Sequence, residues 1–138
     1  LTEGKDWVRN EHGHVEHPLC LRARKAAMDL WGHAERRGLL GEDGDKDLHD
    51  MIFQCQIAGA KLAGALNHLA YDEDNDGGFV VAALKRALNY LHEAIAFTGK
   101  VEAKRLIEPE WMTAFHKELF EIREEVLSLM KRYREDAG

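Results

Sequence analysis

Proline is nearly missing from this chain. Only Pro18 and Pro109 occur in 138 residues, and no low-complexity tract is present. Serine is scarcer still: Ser128 stands alone. No Gly-x-Ser-x-Gly elbow occurs, and no Ser-His-Asp set is suggested. Cysteine occurs twice, at Cys20 and Cys55, which is too few and too unspaced for a disulfide framework. Two buried thiols in a reducing cytoplasm are expected, and no secretory signal is visible. No apolar run approaches the ~20 residues that a bilayer span requires, so no membrane partner is expected. The stretch "AGAKLAGA" lacks the spacing of a phosphate loop, and no cofactor is expected. Positive charge is not in excess either. The formal net charge is −6, which argues against a surface that coats nucleic acid everywhere.

What is present is helical. Apolar residues make up 45% and charged residues 32%, the balance of an ordinary globular domain. Both prolines open a helical pattern, where a missing N–H costs nothing. The first pattern runs from Pro18 to Arg37, on Leu19, Ala23, Ala27, Leu30, Trp31 and Ala34. The second runs from Asp45 to Tyr71, on Leu48, Met51, Ile52, Cys55, Ala58, Leu62, Leu66 and Leu69. The third runs from Gly78 to Thr98, on Val80, Leu84, Ala87, Leu88, Leu91, Ala94 and Ile95. The fourth runs from Pro109 to Glu135, on Met112, Phe115, Leu119, Ile122, Val126, Leu129 and Tyr133. No strand-like alternation of useful length appears. The predicted fold is all-α: an antiparallel up-down-up-down four-helix bundle over 17–138, preceded by an arm over 1–16. The arm is read as extended or as a short extra turn. On the second helix, "AGAKLAGAL" places Gly59 and Gly64 among alanines. Each glycine costs about 1 kcal/mol of helix propensity relative to alanine, which implies close approach of another helix, within the bundle or across a subunit contact.

Four constellations could carry chemistry. "DEDNDGGF" has Asp72, Asp74, Asp76, Gly77 and Phe79 at calcium-loop spacing, but Ala83 stands where the bidentate glutamate belongs. A helix-helix turn without a structural metal is the favoured reading. His12, His14, His17 and Cys20 are all potential metal ligands, though no second ligand pair follows. A flexible histidine-bearing arm is favoured over a metal-binding bundle. The other five histidines lie on four helices, and none forms the paired Glu-x-x-His sets of a di-iron bundle. Arg86 and His92 have the Arg-x(4–6)-His spacing of HEPN-like ribonucleases. Six residues of continuous helix turn through roughly 600°, which points the two side chains apart. Ribonuclease activity is therefore the alternative reading and not the main one.

The order of motifs carries a resemblance. "AAMDLW" at 26–31 precedes the small-residue "QIAGAKLAGALN" at 56–67, then "FVVAALKRALNYLHEAIAF" at 79–97, then "EIREEVLSLMKRY" at 121–133. This pattern resembles the four-helix-bundle family of 23S rRNA intervening-sequence proteins. It is also similar to the accessory variability determinant proteins of diversity-generating retroelements. The resemblance covers Pro18 to Arg134. It implies a bacterial, cytoplasmic, non-enzymatic protein that assembles as a ring-shaped homopentamer. The partners it implies are RNA, or a reverse transcriptase with its RNA.

Charge gives that expectation a location. Arg22, Arg24, Lys25, Arg36 and Arg37 face only Asp29 and Glu35 in the stretch from His17 to Gly41. These five are the candidate contacts to nucleic acid or partner. The alternative is that they are solvated helix faces. "KRYR", Lys131 to Arg134, is a second basic excess at the other end of the expected bundle. The expected function is a non-enzymatic, homo-oligomeric scaffold or accessory protein that binds RNA or an RNA-handling partner.

Overall fold

The computed structural model describes residues 3–69 and 77–137. Two short strands, β1 (Val8–Arg9) and β2 (Val15–Glu16), precede four helices. The helices are α1 (Pro18–Arg36), α2 (Lys46–Leu66), α3 (Gly77–Lys104) and α4 (Pro109–Ala137). The Asp72–Asp76 turn lies outside the described residues.

Each of the first two helices begins at a group that satisfies its free N–H donors. His17 caps α1: its ring Nδ1 accepts from the Leu19 N–H at 3.0 Å, and Pro18 follows at the first position. Asp45 caps α2 by accepting from the Leu48 N–H at 3.1 Å. Lys104, at the far end of α3, holds both Asp45 and Asp47. Gly38 closes α1 in the left-handed region, at φ 67, where a side chain would be strained.

Contacts between distant residues fix the directions. His17 near the start of α1 reaches Asn67 at the end of α2, and Lys104 at the end of α3 reaches the start of α2. His92 on α3 meets Arg123 on α4, while Glu102 meets His116. Arg22 meets Glu118, whereas Arg37 meets Glu108. Every adjacent pair is therefore antiparallel, and each helix packs on two neighbours. This is an all-α four-helix bundle. Its core is continuous, and Leu30, Leu48, Met51, Leu62, Leu84, Met112, Ile122 and Val126 are almost wholly hidden.

The structure corrects four expectations. The arm contains strands: β1 and β2 pair antiparallel, with Val8 opposite Glu16 and Arg9 opposite Val15. The Asn10 side chain accepts from the His12 and His14 N–H groups, and Gly13 turns the chain at φ 77. α2 ends at Leu66, five residues before the expected Tyr71, although Leu69 beyond it is buried. α3 continues past Gly99 to Lys104, because Val101 on the next turn is fully buried. Arg105, at φ 55, then ends it. Trp31 belongs to the surface and not to the α1 stripe, since Leu30 and Ala34 take the core-facing positions around it.

Candidate functional site

Three of the five candidate cations are committed within the chain. Arg22 lies between α1 and α4, where it donates to both carboxylate oxygens of Glu118 and to Glu121. Arg24 donates to Glu11 in the hairpin turn and to the buried Glu16 on β2. This contact holds the Glu11 carboxyl down at about 2, chiefly through the hydrogen bond from Arg24. Arg37 pairs with Glu108 at 2.6 Å, and His33 reaches the other oxygen of that carboxylate at 3.0 Å. Lys25 and Arg36 remain exposed on α1 and make no ion pair among the described residues. The partners of Arg22 and Arg37 lie on α4 and just before it, a stretch that a local count of charge around α1 does not include.

The arm histidines separate by role. His17 is buried and serves α1 as its cap. Burial lowers its pKa, with Asp6 opposing that shift and Arg132 reinforcing it. His12 and His14 are exposed on the hairpin. Among the described residues, no group of three or more His, Cys, Asp or Glu side chains converges as metal ligands would. Arg86 and His92 are both exposed on the unbroken α3. The cation that meets His92 is Arg123, whose Nε donates to the ring Nε2 at 3.1 Å.

Two grooves run along α1. The first, of ≈ 480 Å³, lies against α4 and is lined by Lys25, Ala26, Asp29, Arg36, Trp111 and Phe115 among others. Its aromatic groups form a ladder. Trp111 stacks on His33 at 4.5 Å and on Phe115 at 5.2 Å. The indole thus already has two stacked ring neighbours within the chain.

The second groove, of ≈ 400 Å³, lies between α1 and α2. Cys20, Ala27, Met28 and Trp31 line it from α1, and Cys55, Gln56, Gly59, Ala60 and Ala63 from α2. Arg24 and Glu16 line it as an ion pair, with Arg24 shared with Glu11. Of its lining residues, Met28 (58% exposed) and Trp31 (46%) are large exposed apolar side chains, and Phe53 (56%) is exposed on α2 three residues before Gln56. Both thiols are unreactive here, because burial pushes each up to about 12. A Cβ added at Gly59 or Gly64 would meet nothing within 4 Å. Of the two alternatives for these glycines, close approach within the bundle is not made among the described residues. Ala58, Leu62, Ala65 and Leu66 face the core instead. Sequence reasoning missed Phe53 altogether. The available signal was its position between Ile52 and Gln54, outside the stripe of Met51, Ile52 and Cys55.

Comparison with protein-family models, with curated proteins and with solved structures finds no match.

Proposed function

We propose that this chain is a non-enzymatic scaffold or accessory protein that works as a homo-oligomer and contacts RNA or an RNA-handling partner. The observation that carries the reading is the outward apolar face on α1 and α2. A bundle with a complete core still presents Met28, Trp31 and Phe53 to solvent on one side. Large apolar side chains exposed on one side of a bundle are the kind of surface on which another macromolecule binds. The RNA component draws on the resemblance to the 23S rRNA intervening-sequence and retroelement accessory families. It also draws on Lys25 and Arg36, the two nominated cations that are exposed and make no ion pair among the described residues. A reverse transcriptase is the protein partner that the same resemblance implies. Among the described residues no helix is long and apolar enough to cross a membrane, and a cytoplasmic location is part of the proposal.

The test is incubation of pure protein with labelled structured RNA, resolved on native and denaturing gels. A retarded but intact RNA is expected. The shift weakens with salt, as counterion release requires, and weakens further in a Lys25→Ala, Arg36→Ala double variant. RNA that stays unshifted at low salt and high protein removes RNA as a partner.

A ribonuclease is the second reading, favoured by one contact. Arg123 beside His92 puts a cation next to an exposed imidazole, a combination able to engage a phosphodiester. Arg86 remains the arginine that the sequence spacing nominates. Cleavage on the denaturing gel that disappears in His92→Ala establishes this reading over the first.

A further inference from the structure

We propose that the arm is an autoinhibitory clasp: its carboxylates occupy Arg24 and Arg132, and a polyphosphate backbone takes over these two guanidinium groups and displaces the hairpin. The proposal rests on the RNA reading above. It adds to that reading two cations that the fold keeps covered and the segment that covers them.

The arm meets α4 where α1 does not reach. Arg22, one turn into α1, lies beside Glu118, and α4 continues from there to Ala137. Roughly four turns of α4 therefore extend past the start of α1. On those turns Arg132 donates to Asp6 of the arm at 2.9 Å. On α1, Arg24 donates to Glu11 through Nη1 and to Glu16 through Nη2, each at 2.8 Å. Asp6 and Glu16 are each 7% exposed, so these carboxylates are shut against the bundle. Arg22 and Arg37 differ in kind. Their carboxylates belong to α4 and to the residue just before it, and both sides of those pairs are fixed by the bundle.

Charge fastens this segment more than apolar packing does. Trp7, Val8 and Val15 are only half-buried, and all three lie outside the bundle core. One residue of extended backbone, His17, separates β2 from α1. The bonds of His17 to Leu19 and Asn67 lie on the bundle side of that pivot, so the arm can swing away with the helices intact. Ion pairs at partly exposed sites are weak and screened by salt. The guanidinium fork that takes a carboxylate takes a phosphate in the same bidentate way. The arm carries Glu3, Asp6, Glu11 and Glu16 against Lys5 and Arg9, so it is itself an anionic stand-in for such a ligand. Its displacement leaves Arg24 next to the exposed Lys25, and Arg132 beside the exposed Lys131 and Arg134. Exposed acids stand on the same helices, at Asp29, Glu125 and Glu135, so the two arginines are what the displaced arm adds.

Hydrogen exchange and binding titrations of the full chain test the proposal, with single-stranded oligouridylate and inorganic polyphosphate as the two probes. In the wild type, bound oligouridylate is expected to speed exchange of the hairpin amides over residues 4–16 while the four helices stay protected. An Asp6→Asn, Glu11→Gln, Glu16→Gln variant should bind it at least about 10-fold more tightly. Adding Arg24→Ala and Arg132→Ala to that variant should remove the gain. Glu42→Gln, Glu93→Gln, Glu125→Gln deletes the same charge at exposed positions off the arm, and should change affinity by no more than about 2-fold. Matched thermal melts establish that each variant is folded, and the wild-type exchange needs no variant. Three results overturn the clasp yet leave the RNA reading standing: oligouridylate that binds without loosening the hairpin, a gain that the off-arm variant matches, or a gain that survives loss of both arginines. Loosening by polyphosphate alone supports the clasp and overturns RNA as its ligand. Binding of neither probe, by wild type or by the arm variant, overturns both.

Discussion

Arg22 and Glu118 are 96 residues apart in the chain, yet meet as a two-pronged pair, Nε to Oε2 at 2.7 Å and Nη2 to Oε1 at 2.6 Å. The pair ties α1 to α4 where both side chains are about one-third exposed. Its planar fork is the geometry in which arginine binds carboxylate best. Solvent screening limits its worth. A double-mutant cycle of Arg22→Ala and Glu118→Ala should give a coupling of about 1 kcal/mol at pH 7 by urea denaturation. The hydrogen bond from Arg22 holds the Glu118 carboxyl below its ordinary value of 4.5, against the opposing effect of burial. A carboxylate depressed on folding stabilises the protein above its unfolded value. That contribution is lost as pH falls through the lower folded one. The coupling should therefore shrink toward zero at strongly acid pH, and a coupling unchanged there would contradict the assignment.

His17 gives a second pH dependence, in a different window. Its neutral Nδ1 accepts from Leu19, and burial keeps its pKa below 6.5 in the folded protein. Protonation removes the acceptor. The unfolded chain takes up the proton first, so stability is complete above about 6.5 and declines as pH falls from there to the folded value. Asp6 and Arg132 face the ring and pull in opposite directions. His17→Ala should cost about 1 kcal/mol at pH 7.5, the usual loss of an N-cap. His17→Asn should keep the cap while removing the extra loss of melting temperature between pH 7 and pH 5. Equal pH dependence in wild type and His17→Asn would sink the argument.

Cys20 and Cys55 should resist alkylation in the native protein. Both are buried, both stand at about 12, and both flank the same groove. Iodoacetamide at pH 8 is expected to label neither thiol within the time that labels both in urea, as mass spectrometry would read out. Rapid native labelling of either would show that the groove opens to its floor.

Gly99 sits inside α3 with open space where a Cβ would be. Gly99→Ala should raise stability by about 1 kcal/mol, through helix propensity and a less disordered unfolded chain. In a chain of this size that is a rise of roughly 3 °C in melting temperature. A fall would mean that the position is needed by something other than this chain's own packing.

Gly99 also shows where sequence reasoning stopped short. A glycine after a long helical pattern reads as a stop, and only burial of Val101 beyond it carries α3 onward. The four helices themselves were legible because their apolar residues recur at the right period. Every stripe residue named for the second and fourth helices is buried. The hairpin was not legible by alternation, since two-residue strands are too short to alternate. Its signal was the turn, in Asn10 and Gly13.

The site was less legible than the fold, for a physical reason. Arg22 and Arg37 look available in a local reading because the carboxylates that bind them, on Glu118 and Glu108, come from the other end of the sequence. Trp31 looked like core because large apolar side chains usually are, and its neighbour Leu30 does point inward. Which of two adjacent residues faces a partner helix depends on where that helix lies, and periodicity alone does not supply its position.

The pairing of Arg132 with the buried Asp6 has a kinetic consequence. The contact joins residues 126 apart, the widest loop that any side-chain hydrogen bond described here closes. Closing so wide a loop is entropically expensive, and it is favourable only when both ends are already positioned. The Arg132–Asp6 contact can therefore close only once the last turns of α4 have docked. Trp7, next to Asp6 in sequence, then serves as a built-in clock. In a Trp31→Phe, Trp111→Phe background, fluorescence changes from that indole during refolding should lag behind the rise of helical dichroism.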